Sequence, residues 1–227
     1  QGLFGKVTGS IKPGDNNQVL TEADLAVGRL IVEAIRKRYP DHNIIDEETG
    51  VIDKHSPYTW VIDPIDGTSN FAAGTANYAI SIGLLENDMP VAGGLALPPF
   101  SEIYIAEKGQ GAFLDARRLA VTDETRLLSS LVAYDIDGHQ ENPSITRKEC
   151  ALLAEIVLNI RSMRASGSIL DGVFVAKGHY GGYVCLSSKI WDHVGVHILI
   201  EEAGGVYTDL LGRPMDYKNA TMRSEED

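Results

Sequence analysis

Cysteine is scarce in this 227-residue chain: Cys150 and Cys185 are the whole supply, far apart and outside any CxxC spacing. That excludes a disulfide framework and fits a reducing compartment, so a cytoplasmic location is expected. Positive charge is also short. Twenty basic residues face 32 acidic ones, a net charge of -12, which disfavours a broad surface for nucleic-acid polymers. It does not exclude a small phosphorylated substrate where bound cations mask local carboxylates. No apolar run of about 18 residues exists, so no membrane span or membrane partner is expected. The opening QGLFGKVTG lacks both an initial Met and the charged-then-apolar pattern of a signal peptide. Together with the closing SEED it reads as a chain truncated at one or both ends. Internal repeats, low-complexity tracts and long linkers are missing as well. What is present, with 44% hydrophobic residues, is enough to bury one large core or two modest ones. The sequon Asn219-Ala220-Thr221 is read as incidental in a cytoplasmic setting.

The periodicity predicts a first helix from Thr21 to about Tyr39, with Val27, Leu30, Ile31, Ala34 and Ile35 on one face. Thr21 followed by Asp24 reads as its cap, and Pro40 as its stop. Strand-like segments follow at Thr59–Asp63, Tyr78–Glu86, Pro90–Leu97, Glu102–Glu107 and Ala112–Leu114. The short turns between the later segments predict a largely antiparallel sheet. Leu131–Tyr134 opens a second half with a helix over 144–159, whose Leu152, Leu153, Ile156 and Val157 are expected to face inward. A helix over 167–177, a strand at 182–186, a helix over 192–203 and a strand at Val206–Asp209 complete the pattern. Grouped strands and helices make this an α+β layered sandwich. The expected division is an N-terminal α+β domain, 1–127, and a smaller α/β domain, 128–227.

Within this frame WVIDPIDGTSNF, residues 60–71, carries two aspartates three residues apart. A plain turn explains Asp, Pro and Gly together. Val61 and Ile62, however, imply a buried strand, where the charge of Asp63 is costly unless compensated. Thr68 and Ser69 after Gly67 offer hydroxyls and N–H groups to an anion at a helix start. Oxygen-rich ligation of this kind suits Mg²⁺. Glu47 precedes a loop into the same strand, although an isolated Glu-Glu pair is usually solvated. Asp192 begins an amphipathic helix with Val196, Leu199, Ile200 and Ala203 inside, and a simple helix cap would account for it. His193 and His197 have the i, i+4 spacing of zinc ligands but lack the Glu of HExxH, which argues against zinc.

The segments LTEAD (20–24), DEETG (46–50), WVIDPIDGTSNF, YAISIGLL (78–85), ASGS (165–168) and WDHVGVHILIEEAGG (191–205) occur together and in this order. In them the chain resembles the inositol monophosphatase family of Mg²⁺-dependent, lithium-sensitive sugar phosphatases. The resemblance implies an αβαβα layered sandwich, commonly a homodimer. It also implies two or three Mg²⁺ ions, with Mn²⁺ as a substitute, held by Glu47, Asp63, the carbonyl of Ile65, Asp66 and Asp192. It assigns phosphate binding to Gly67, Thr68 and Ser69. Asp24 and Thr68 orient an attacking water, with Glu47 assisting. The segment Lys12–Asn17 matches a mobile loop that closes over the metals. The implied reaction is in-line hydrolysis of a phosphate monoester without a covalent intermediate.

The chain departs from the pattern where the substrate's organic part would sit. Inositol-preferring members have an acidic residue on the strand shortly before WD. Here Cys185 occupies about that position, and no Asp or Glu occurs between Asp171 and Asp192. Val196 and His197 replace the family's glycine and alanine, and the stretch 177–182 lacks an Asp. The expected activity is therefore hydrolysis of a small sugar or polyol phosphate, inositol 1-phosphate among them. Fructose 1,6-bisphosphate, histidinol phosphate and 3′-phosphorylated nucleotides stay open as substrates. A non-catalytic, metal-dependent interaction protein is the alternative of another class; keeping Asp24 and Thr68 argues against it.

Overall fold

The computed structural model describes residues 2–7, 9–12, 15–186 and 188–218. In chain order the strands are β1 (Ser10–Lys12), β2 (Asp15–Leu20), β3 (Asn43–Asp46), β4 (Gly50–Ile52), β5 (Tyr58–Asp66), β6 (Ala79–Glu86) and β7 (Met89–Leu97). They continue with β8 (Glu102–Glu107), β9 (Gly111–Leu114), β10 (Arg117–Arg118), β11 (Leu131–Asp135), β12 (Ser162–Arg164) and β13 (Gly182–Cys185). The helices are α1 (Glu22–Arg38), α2 (Thr68–Ala73), α3 (Pro143–Asn159), α4 (Leu170–Ala176) and α5 (Ile190–Glu202).

An eight-stranded sheet runs β10-β9-β8-β7-β6-β5-β3-β4. It is antiparallel except for the β3–β5 pair. A parallel three-stranded sheet, β12-β11-β13, forms the smaller second layer. Strand alternation sets the packing on the large sheet. Ile44 and Ile62 point to one face and pack on Val32 and Ile35 of α1. Their neighbours Ile45 and Val61 point to the other and pack on Ile190 and Val194 of α5. The layers therefore run α1, large sheet, α4 and α5, small sheet, α3, which is the expected sandwich. One apolar core joins Leu95, Tyr104 and Ala106 of the large sheet to Leu170 and Val173 of α4 and Leu199 of α5, so it is continuous across residue 128.

Several expectations need correction. In α1 the buried stripe is Ala23, Asp24, Gly28, Val32 and Ile35, whereas Leu30 is 70% exposed and Ala34 is exposed. A Cβ on Gly28 would come within 3.1 Å of both Asp46 and Pro64. The helix thus meets the sheet through a glycine and an aspartate, which apolar periodicity does not register. In α3, Leu152 and Val157 are exposed, and Glu149 is the buried residue. That helix meets the small sheet where the Glu149 carbonyl accepts a hydrogen bond from the Tyr134 hydroxyl at 2.8 Å. Val206–Asp209 pairs with no strand among the described residues and leads into a turn where Asp209 accepts the N–H groups of Leu211 and Arg213. Strands β1 and β2 form a hairpin across the expected mobile loop. Pro13 and Gly14 lie outside the described residues, as do the side chains of Lys12 and Asn17 and the sequon at 219–221.

Candidate active site

The aspartate-rich stretch is a strand with a defect rather than a turn. Strand β5 continues through Pro64 to Asp66, pairing Asp63 with Ser81 and Asp66 with Ala79. Three steps along β5 therefore match two along β6, a bulge at a proline that cannot donate to the ladder. In an unbroken strand, residues three apart face opposite sides. The bulge instead turns Asp66 to the side of Asp63, which is the side on which α5 packs.

Helix α5 brings the third carboxylate. Asp192 sits in its first turn and accepts the N–H of Lys189 at 2.6 Å. The helix lies unusually close to the sheet: a Cβ on Gly83 would fall 2.4 Å from Val194, and one on Gly195 would fall 2.5 Å from Ser81 Oγ. Ligand atoms of Asp63, Asp66 and Asp192 all lie within 4.8 Å of one another. Burial, with Glu47, Asp66 and Asp192 nearby, holds the Asp63 carboxyl well above the usual carboxylate range. Burial and Asp192 raise Asp66 likewise, against the lowering effect of Ser168 and Ile169. Burial pushes Asp192 up to about 7, with Glu47 adding to it and the Lys189 N–H opposing it. The buried Asp63 Oδ1 has no hydrogen-bond partner. Such a crowd of acids is stable when neutralised, and hard oxygen donors of this kind fit a divalent cation such as Mg²⁺.

Glu47 follows β3, its N–H donating to the Ile62 carbonyl at 3.2 Å. Asp46 shapes that turn by accepting the N–H groups of Glu48 and Thr49. Glu47 lines the cleft and influences Asp63 and Asp192, but lies outside the tight three-carboxylate cluster. On the other flank, Gly67 has φ of 81° and opens α2. A side chain there would strain the backbone and press a Cβ to 2.7 Å from the Asn77 carbonyl. The Thr68 hydroxyl is within donating distance of Asp24 Oδ1 at 3.0 Å and the Ile65 carbonyl at 2.9 Å. The second Asp24 oxygen is held by the backbone N–H and hydroxyl of Thr21, completing the expected capping box. The Ile65 carbonyl keeps a second lone pair for another donor or a cation. Thr68 and Ser69 line the same cleft of about 300 Å³.

The structure thus brings every expected site residue to one cleft or, for Asp24, to a hydrogen bond with it. It also adds residues that sequence reasoning passed over. Asn70 Nδ2 reaches the carbonyls of Asn77, Ser166 and Gly167 at 2.8, 3.0 and 3.2 Å, tying α2 to the loop before α4. The Ser168 hydroxyl and the Ile169 N–H both donate to Asp66 Oδ1. The ASGS segment was the signal for this loop, although nothing in its composition announces the contact. Asp135 enters the cleft from β11 with no motif to mark it. His193 and His197 make no zinc pair: His193 contacts Ser188 and Tyr207, and His197 contacts Tyr217. Burial pushes His193 down to about 4 and raises the Cys185 thiol to about 11, so both are neutral at pH 7.

Comparison with known proteins gives the family. The sequence pattern of the inositol monophosphatase family matches residues 4–225. A fructose-1,6-bisphosphatase/inositol-1-monophosphatase of Aquifex aeolicus is 33% identical over 217 residues, 93% of this chain and 80% of that protein. A protein named Nus factor SuhB from Haemophilus influenzae is 34% identical over 210 residues, 92% of this chain and 76% of that one. The solved inositol monophosphatase of Anabaena superposes with a TM-score of 0.82 at 32% identity, covering 87% of this chain and 79% of the other. With its carboxylate cluster, its layered fold and this likeness along nearly its whole length, the chain belongs to the inositol monophosphatase family and is a phosphatase, a phosphoric monoester hydrolase.

Proposed function

We propose that this phosphatase hydrolyses a small sugar or polyol phosphate, inositol 1-phosphate among them, with two or three Mg²⁺ ions. The observation that carries the reading is the Asp63, Asp66 and Asp192 cluster lying in one cleft with a Thr68 hydroxyl already bonded to buried Asp24. Glu47, Asp63, the Ile65 carbonyl, Asp66 and Asp192 are the groups that would hold the metal. Bound there, Mg²⁺ supplies charge for phosphate oxygens and acidifies water.

The chain's own residues do the orienting. Asp24, fixed by Thr21, accepts the Thr68 proton and so leaves a lone pair on Thr68 Oγ1 turned outward. That oxygen accepts a hydrogen bond from water and aims the water's own lone pair at phosphorus. As the new P–O bond forms the ester P–O bond breaks, and the proton the water loses ends on the departing alcohol oxygen. The N–H groups of Gly67, Thr68 and Ser69 and the Ser69 hydroxyl receive the phosphate oxygens at the opening turn of α2. Asp66, held by Ser168 and Ile169, stays fixed while charge shifts around it. The same proposal takes the working form to be a homodimer, as the resemblance implies, in the cytoplasm, as the scarcity of cysteine suggests.

A panel of phosphate esters tests the reading by colorimetric phosphate release after chelation and re-addition of Mg²⁺ or Mn²⁺. Metal-dependent turnover of polyol phosphates is expected, with inhibition by Li⁺. Absence of turnover for every ester would refute it.

A further inference from the structure

The metal cluster and the Thr68 side account for one wall of the cleft. The small sheet also lines the cleft, and it holds an acid that none of the proposed chemistry uses. Asp135 is the last residue of β11, and its carboxylate lines the cleft. Tyr183 on the adjacent strand donates its hydroxyl to Asp135 Oδ2 at 2.7 Å, and the Gly167 N–H reaches Oδ1 at 3.2 Å. An ionised carboxylate offers about four acceptor positions, so two fixed donors leave it oriented with capacity to spare. Burial has lifted its carboxyl to about 6, a cost that a ligand's hydroxyl donors would offset.

Register supplies the second observation. Asp135 pairs directly with Cys185 across the parallel strands. Cys185 lines the same cleft and presents a neutral thiol, a weak acceptor. An acid therefore stands beside Cys185 on the neighbouring strand, on the same side of the small sheet. A third observation concerns charge. Among the described residues no Lys or Arg lines the cleft, while Asp135 and Asp137 both do. A second phosphate on the substrate would meet carboxylates there and no cation.

We propose that Asp135 is the specificity-determining group of this site, accepting hydroxyl hydrogen bonds from the uncharged polyol part of a monophosphate ester, with Tyr183 as its positioning residue. The inference rests on the phosphatase site described above and adds the substrate class: esters rich in hydroxyls and bearing one phosphate are favoured over bisphosphates. A charge-assisted pair of hydroxyl contacts in a cleft discriminates by about 10- to 100-fold.

The test compares inositol 1-phosphate, fructose 1,6-bisphosphate and p-nitrophenyl phosphate, the last of which has no hydroxyl for Asp135. Parent enzyme should prefer inositol 1-phosphate over the bisphosphate. Asp135→Asn should lower kcat/KM for inositol 1-phosphate about 30-fold, mainly through KM, and leave p-nitrophenyl phosphate within about threefold. Inhibition by inorganic phosphate should be unchanged. Tyr183→Phe should raise KM for inositol 1-phosphate several-fold with kcat retained. Equal losses on both monoesters, or weaker phosphate inhibition, would mean that Asp135 only braces the 166–168 loop and would overturn the proposal while the phosphatase reading stands. No loss with inositol 1-phosphate would overturn it too. A parent protein inert toward all three esters would bring down the site reading itself.

Discussion

Replacing Asp63 by Asn should raise the melting temperature of the metal-free protein at pH 8 and abolish the stabilisation conferred by Mg²⁺. Asp63 is buried, and its Oδ1 has no hydrogen-bond partner. Burial first, and then Glu47, Asp66 and Asp192, raise its folded-state pKa well above the unfolded value. For a carboxyl shifted in this direction the penalty is absent below the unfolded pKa. It grows as pH rises between the two values and is complete above the folded one. Asparagine keeps the shape and removes the charge. An uncompensated buried polar group costs about 1–3 kcal/mol, and more when charged. At about 2–4 °C per kcal/mol for a chain of this size, the metal-free variant should melt about 2–12 °C higher than the parent at pH 8. At pH 5, nearer the unfolded value, less of that penalty applies and the gap should shrink. Mg²⁺ at a hundred times its Kd should add about 2.7 kcal/mol to the parent, about 5–11 °C, and nothing to the variant. That increment should also weaken as pH falls below about 7, because a proton on Asp192 competes with the metal. Calorimetry of chelated and Mg²⁺-loaded protein at both pH values reads all of this. A metal-free variant that melts below the parent at pH 8, or one that keeps the Mg²⁺ increment, would refute the assignment.

Two other substitutions probe the flanking elements. Thr68→Ala should cut kcat by about 100-fold while leaving the Mg²⁺-induced melting shift intact, because the proposal has Thr68, bonded to Asp24, aim water rather than hold metal. Loss of the melting shift would make it a structural residue. Gly83→Ala should destabilise the protein by about 1–3 kcal/mol, since its Cβ would sit 2.4 Å from Val194 and 2.9 Å from the Gly195 backbone nitrogen. By lifting α5 it should also weaken Mg²⁺ binding at Asp192, and a parent-like melting temperature would show that the helix does not dock as closely as described.

Much of the site was readable before any coordinates. Asp63, Asp66 and Thr68 stood out by residue type within DPIDGT, whereas Glu47 and Asp192 were singled out by the resemblance of the ordered segments to a known family. The strands from Tyr58 to Leu114 were equally legible, because sequential hairpins make their pairing a local affair. The inner face of α1 was not. Its contact with the sheet runs through Gly28 and Asp24, and a scale of hydrophobicity assigns neither to a core. The apolar residues of α3 misled in the opposite sense, since Leu152 and Val157 face outward on a helix that touches the small sheet chiefly near Glu149.

Sequence alone sufficed for the class of chemistry, because residue types and short spacings suggested an oxygen-rich metal site and the ordered segments supplied the resemblance to a phosphatase family. It also sufficed for the antiparallel layer, whose register follows from near-neighbour turns. The aim of each group came from contacts far apart in the chain. The bulge at Pro64 depends on pairing with β6, and it alone puts Asp66 on the side of Asp63. Asp192 reaches them because glycines on two separate elements let α5 settle onto the sheet. Asp135 acquires a role only beside Tyr183, 48 residues later in the chain. A one-dimensional pattern has no term for which distant side chains share a wall, and that is where the substrate is chosen.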